Sequence, residues 1–254
     1  MIRTVFNKKG GVGKTSIACN LAAISATEGF RTLLIDLDPQ ANSTHYLTGF
    51  VGSSIPAGIA DFFKQTVSDS AKKAKAIIHE TPYDNLHVIT ASRELEDIQM
   101  KLEAKYKIQK LGKYLEKLSA EYDRIYLDTP PALNFYSVSA LIASDRCLIP
   151  FDCDTFSLNA LRELLSDIED IKEDFSDRLR LEGIVVNQYQ ANASVPRALL
   201  SELEATDLPI IPTYLMGSVK MKESHQLSKP LIYLDAAHKL TQQYKALFNW
   251  LEAR

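Results

Sequence analysis

Seven short apolar runs, at residues 2–6, 32–36, 86–90, 124–128, 146–150, 181–187 and roughly 209–213, punctuate the chain. Most lack an alternating polar face, as strands buried on both sides do, and this predicts a parallel sheet covered by helices. Between the runs the apolar period changes. Leu161, Leu164, Leu165, Ile168 and Ile171 recur at helical spacing, as do Leu111, Leu115, Leu118 and Tyr122 upstream and Leu240, Tyr244, Leu247, Phe248 and Leu251 downstream. Each set predicts a helix with one buried stripe. The alternation of strand and helix predicts an α/β fold, three-layer and doubly wound, in which ligands sit beyond the carboxyl ends of the strands. The polar stretch 49–58, with Ser53, Ser54 and Pro56, is the longest evident loop and follows the second strand on that ligand side.

Length and composition narrow this picture. A chain of 254 residues is within reach of one hydrophobic core, so a single domain over 1–254 is expected. With 46% hydrophobic and 24% charged residues the chain is far from a disordered composition. The formal net charge of -3 gives no global basic field, so any contact with nucleic acid must come from a local patch. Cys19, Cys147 and Cys153 are odd in number and form no C-x-x-C pair, which argues against a disulfide framework or a cysteine-built metal site and suits a reducing cytosol. No apolar run reaches the roughly 18–20 residues of a membrane span, and the amino terminus enters a strand without the regions of a signal peptide. A cytoplasmic protein is expected.

The chemistry concentrates in NKKGGVGKTS, residues 7–16, directly after the first apolar run. The phosphate-cradling motif G-x-x-x-x-G-K-[ST] fits with Gly13, Lys14 and Thr15 in place, although its first position falls on Lys8, and a second lysine, Lys9, follows. A glycine-rich turn between a strand and a helix start directs several backbone N–H groups at one point, and the helix dipole adds positive charge there. Gly10, Gly11, Val12, Gly13 and Ser16 are therefore read as part of a nucleotide cradle, with Lys14 reaching the outer phosphates and the Thr15 hydroxyl serving Mg²⁺. A magnesium nucleotide site also wants a carboxylate at a neighbouring strand end. Asp128, closing the run RIYLD before Thr129, Pro130 and Pro131, supplies one. The second strand ends in Asp36-Leu37-Asp38-Pro39-Gln40, with two carboxylates on one side of an extended backbone. Asp38 is the candidate that orients or deprotonates a water, against the simpler reading of an Asp-Pro turn.

Together KKGGVGKT, DLDPQANST, YDRIYLDTPP, ALIASDRCLIPFDCDTFSLNAL and GIVVNQY, in that order and spacing, resemble the ParA/Soj branch of the deviant Walker A ATPases, a P-loop group that includes MinD. The resemblance covers nearly the whole chain. It implies that Lys9 reaches across a two-fold interface to the phosphates bound by a partner subunit, so that a homodimer encloses two ATP molecules. As a clamp on γ-phosphate charge, such a lysine would act as an arginine finger does. It implies too that Asp38 positions the attacking water, that Asp36 and Asp128 support Mg²⁺, and that Asn187 and the segment around Pro212 read the adenine.

The same resemblance implies non-specific DNA binding by the ATP-loaded dimer, association with the nucleoid, and an activator of the ParB type or a cargo adaptor. Lys220, Lys222, Lys229 and Arg197 are the candidate DNA contacts; isolated solubilising charges are the alternative. A MinD-like membrane-positioning ATPase would need an apolar helical face free of the core. The last helix, with Trp250 beside Leu251, reads instead as core-docked, so stable membrane association is not expected. A redox ATPase resembling the nitrogenase iron protein would need a cysteine shortly after Asp128, and DTPPALNFYSVSA has none. A metabolic ATP-dependent enzyme on the same fold stays open. With the phosphate loop starting at residue 7, no helix-turn-helix domain or short basic leader is expected before it.

Overall fold

The computed structural model describes residues 1–67, 76–152, 158–190, 201–203 and 205–254. Its strands are β1 (Ile2–Val5), β2 (Thr32–Asp36), β3 (Ile78–Glu80), β4 (Leu86–Ile89), β5 (Arg124–Asp128), β6 (Arg146–Asp152) and β7 (Arg180–Asn187). They form one sheet in the order β3-β4-β2-β5-β1-β6-β7. Every pairing is parallel except that of β3 with β4.

The described helices are numbered here α1 (Lys14–Thr27), α2 (Asn42–Thr48), α3 (Ile59–Val67), α4 (Glu94–Ala104), α5 (Lys110–Leu118), α6 (Phe135–Ala143), α7 (Leu158–Phe175), α8 (Val219–Gln226), α9 (Leu231–Leu234) and α10 (Lys239–Glu252). Side chains alternate through the sheet, as the two-residue period of a strand requires. Leu34, Val88, Tyr126, Leu148 and Val185 face one core with α1 and α10, whereas Leu33, Ile35, Ile89, Ile125 and Leu127 face another with α3 to α6. Phe6, Ile149, Phe151, Ile184 and Val186 continue that second face beneath α7. The expected three layers are therefore present, with both faces of the central strands dry.

α1 shows no amphipathic stripe because every residue from Ile17 to Ala26 is buried between the sheet and α10. Its alanines keep it slender enough for that position.

Two elements differ from the hydrophobic reading. Residues 209–213 form no strand; Ile210 makes only an isolated parallel bridge to Ile184. Pro209 and Pro212 lack the N–H groups that a longer ladder would need. β3 went unpredicted because it is a three-residue, largely polar edge strand whose existence depends on β4. Tyr122 also lies beyond the end of α5. It is buried at the turn into β5, where its hydroxyl meets Nδ1 of His87 at 2.7 Å. Among the described residues no helix is long and apolar enough to cross a membrane.

The order of strands places β1 between β5 and β6. Chains leaving β1 and β2 then turn to helices on the same face, and their carboxyl ends converge beside that of β5.

Candidate functional site

Residues 7–13 carry the chain from β1 into α1, and the loop is pinned from both sides. Asn7 is buried: its Nδ2 donates to the Pro150 carbonyl at 2.7 Å, and its Oδ1 accepts the Lys9 N–H at 3.0 Å. On the other flank, Asn187 Nδ2 donates to the Val12 carbonyl at 2.9 Å, and Gln188 Nε2 donates to the Gly11 carbonyl at 2.8 Å. Gly11 and Gly13 adopt φ of 79° and 92°, a region costly for any residue with a Cβ. A Cβ at Gly13 would also stand 2.1 Å from Asn187 Nδ2.

Gly13 is the N-cap of α1 and contributes no side-chain cap, so the first-turn N–H groups remain directed toward the loop. Lys14 is buried against this loop and donates to the Lys9 carbonyl at 2.7 Å. Burial lowers its pKa, opposed by the charges of Asp128 and Asp38. The adjacent Lys8, which occupies the expected glycine position, turns away to pair with Asp167 on α7. Lys9 is tied to the loop through its backbone N–H, which donates to Asn7 Oδ1.

Asp128 is fully buried at the end of β5. Its Oδ2 accepts the hydroxyls of Thr15 at 2.7 Å and Ser43 at 2.6 Å, while its Oδ1 has no hydrogen-bond partner. Burial pushes its pKa up to about 6, against the opposing Ser43 and Thr15 hydrogen bonds. Asp36, opposite Asp128 in the β2–β5 register, is also raised, by burial first and Asp128 second. Asp36 Oδ1 accepts the Asp38 N–H at 3.1 Å, and Oδ2 accepts both the N–H and the hydroxyl of Thr44 at 2.8 Å. Those bonds shape the turn that presents Asp38.

Asp38 is nearly buried, with its pKa raised by burial and its Oδ1 accepting the Gln40 N–H at 2.9 Å. The turn continues through Ala41, a non-glycine residue at φ 56°.

Among the described residues no three His, Cys, Asp or Glu side chains form a ready-made metal cage. Mg²⁺ is commonly held by one or two carboxylates together with substrate phosphates. The orphaned Asp128 Oδ1 beside the Thr15 hydroxyl fits such an ion.

A cavity of about 740 Å³ opens beside the loop, walled by Gly11, Gly13, Ser16, Asn187, Lys222 and His225 among others. A slightly larger one, about 780 Å³, lies past the ends of β2 and β4 along Pro39, Gln40, Ala41 and Arg93. The first contains the helix start and the loop, and is the natural seat for an anionic ligand. Of the sequence candidates for the adenine end, Asn187 reaches that wall, whereas Pro212 is exposed and does not line it. Asn7, Ser43, Thr44, Gln188 and His225 were not singled out in the sequence. Of these Asn7, Ser43, Thr44 and Gln188 stood inside quoted motifs without a role, and only the fold brings Gln188 and His225 to the loop.

The basic candidates are dispersed. Lys220 pairs with Glu223 at 2.8 Å and lies 3.9 Å from Asp235, while Lys222 and Lys229 are exposed. Lys220 and Lys222, two residues apart on α8, do not share a helical face. Arg197 lies outside the described residues.

Residues 1–181 match the family described as an AAA domain. The chain is 31% identical over 98% of its length to the chromosome partitioning protein ParA of Myxococcus xanthus, covering 87% of that protein. It is 30% identical over 96% of its length to the sporulation initiation inhibitor protein Soj of Bacillus subtilis, covering 94% of it. Its fold is similar to that of cobyrinic acid a,c-diamide synthase from Mycobacterium smegmatis with bound ADP and magnesium, with a TM-score of 0.83 and 22% identity over 100% of this chain and 96% of that one.

Proposed function

This chain belongs to the ParA/MinD family of partition ATPases, and from that premise we propose a magnesium-dependent ATPase that positions cargo. In this reading the protein closes as a homodimer around two ATP molecules and then binds DNA without sequence preference. Hydrolysis, stimulated by a ParB-like or cargo-adaptor partner, returns it to the open form. The cargo is a plasmid, a chromosome region or a large protein assembly, moved over the nucleoid in the cytoplasm.

One observation carries the reading: the helix start at Gly13–Thr15 and the unpartnered Asp128 oxygen meet at the end of the central strands. ADP and magnesium in the structurally similar synthase support the choice of ligand. Thr15 and Asp128 would hold Mg²⁺ together with nucleotide phosphates, and the ion would supply charge neutralisation there. Lys14 neutralises phosphate charge from the helix start. Asp38 orients a water, and the Asp36 bonds fix the turn that carries it. Lys9 extends to the partner subunit, so closure gains a contact that the open form lacks. A ligand shifts such an equilibrium only through that difference.

Burial of Leu240, Tyr244, Leu247, Phe248 and Leu251 commits the apolar face of α10 to the core, which favours the nucleoid reading over attachment to a membrane through this helix. The test is retention on arbitrary duplex DNA with ATP, ADP or no nucleotide, at two salt concentrations, alongside ATP turnover. ATP-dependent retention that weakens with salt supports the proposal. Turnover without retention points to a metabolic enzyme, and failure to bind nucleotide removes the ATPase reading altogether.

A further inference from the structure

Ser16 follows Thr15 in the first turn of α1, and its hydroxyl lies 2.8 Å from Nε2 of His225 on α8. These residues are 209 positions apart, yet both line the cavity beside the phosphate loop. The imidazole is held firmly. It stacks on Tyr46 of α2 with ring centroids 4.1 Å apart and planes inclined by 21°. The Tyr46 hydroxyl in turn meets Ser224 Oγ at 2.6 Å and accepts from Asn20 Nδ2 at 3.1 Å. Ser224 Oγ donates to the Lys229 carbonyl, and Asn20 Oδ1 accepts the Leu231 N–H at 2.8 Å. α8 is thus fastened to α1 and α2 with the His225 edge directed at the helix start.

We propose that His225 is a positioning residue of the nucleotide site, which turns the Ser16 hydroxyl toward a bound phosphate and makes nucleotide affinity depend on pH. The inference rests on the ATPase reading above. A hydroxyl has one hydrogen to give. If Ser16 directs that hydrogen to a phosphate oxygen, its own oxygen is left to accept, and the neighbouring Nε2 must then carry a hydrogen. Either the Nε2–H tautomer or the imidazolium satisfies this, and the anionic ligand favours the imidazolium.

The titratable groups facing the ring are His45 and Tyr46 on α2, Lys222 on its own helix and Tyr244 on α10. No carboxylate lines this cavity wall among the described residues. Burial first and His45 second lower the His225 pKa, which favours the neutral ring in the free protein. An anion raises that pKa in the complex. Affinity is then greatest below the lowered value of the free protein and declines as pH rises from there through the raised value of the complex.

The experiment measures ADP affinity between pH 5 and 8 at fixed magnesium, with proton uptake read by calorimetry in buffers of different ionisation heat. For the parent, affinity should weaken by roughly 5- to 10-fold across the range, corresponding to a shift on the order of one pH unit in the imidazole on binding. His225→Gln retains a hydrogen-bonding group without titrating, and its profile should stay within about twofold of that expected from the titration of ADP itself. Ser16→Ala, which removes the relay from the other side, should flatten the profile similarly and covers the case in which His225→Gln does not fold. Parent-like slopes and proton uptake in both variants overturn the inference while leaving the ATPase reading intact. Absence of ADP binding in the parent overturns both.

Discussion

Replacing Asp128 by Asn separates what this carboxylate costs the fold from what it contributes to the site. Its pKa is pushed by burial from the ordinary 3.8 to about 6. At about 1.4 kcal/mol for each tenfold change in protonation, the ionised group destabilises the folded chain by about 3 kcal/mol. Below pH 3.8 the carboxyl is protonated in both states and the cost vanishes. As pH rises from there to about 6, the unfolded chain releases its proton first and the folded state loses stability, with the full cost present above that range. Asn keeps an oxygen for the Thr15 and Ser43 hydroxyls. It places an amide where Oδ1 stood unpartnered. Any penalty for that buried amide, about 1–3 kcal/mol, is independent of pH and cancels in the comparison.

Urea denaturation from pH 4 to 7.5, without magnesium or nucleotide, should show the stability difference moving by about 2.5 kcal/mol in favour of Asp128→Asn as pH rises. Magnesium with nucleotide should then stabilise the parent more than the variant. A difference that stays flat over the pH range would refute the idea that Asp128 is a strained buried charge.

Gly13→Ala combines a left-handed backbone with a clash against Asn187, so it should lower stability by about 2 kcal/mol or more and abolish nucleotide binding; a variant that binds ADP normally in calorimetry contradicts the loop geometry. Glu182→Ala leaves the Arg3 guanidinium, 1% exposed, without its 2.6 Å partner, and should cost about 3 kcal/mol in denaturant melts while ADP affinity in the folded protein is retained. A loss below about 0.5 kcal/mol would mean that Glu252, 3.5 Å from Arg3, suffices alone. Asp38→Ala with ATP should accumulate as a dimer in sedimentation, whereas Lys9→Ala should bind ATP with affinity within about threefold of the parent yet stay monomeric. Dimerisation of the lysine variant would remove the proposed contact in trans.

Much of the architecture is legible without coordinates, and the reason lies in particular residues. The runs ending at Asp36 and Asp128 are continuously apolar because both faces of β2 and β5 are covered, so their identity as central strands follows from pattern alone. β3 escaped because three residues at a sheet edge, two of them polar, bear no period that distinguishes them from a loop. At 209–213 the apolar residues were visible, but hydrogen-bond geometry around Pro209 and Pro212 decided against a strand. The site divides in the same way. Gly13, Lys14, Thr15, Asp38 and Asp128 stand in local patterns that name their chemistry, whereas nothing local marks the contacts that Asn7, Gln188 and His225 make.

By itself, then, the order of amino acids determined the glycine-rich turn before α1, the carboxylates at the strand ends and the layered α/β plan, because each depends on interactions among near neighbours or on a repeating period. Only the tertiary structure decided that Asn187 and Gln188 clamp the loop, that Lys8 leaves it for Asp167, and that His225 meets Ser16. These contacts join residues more than 150 positions apart. Such pairs are set by how the helices pack on the sheet, and a periodicity along the chain holds no record of that packing.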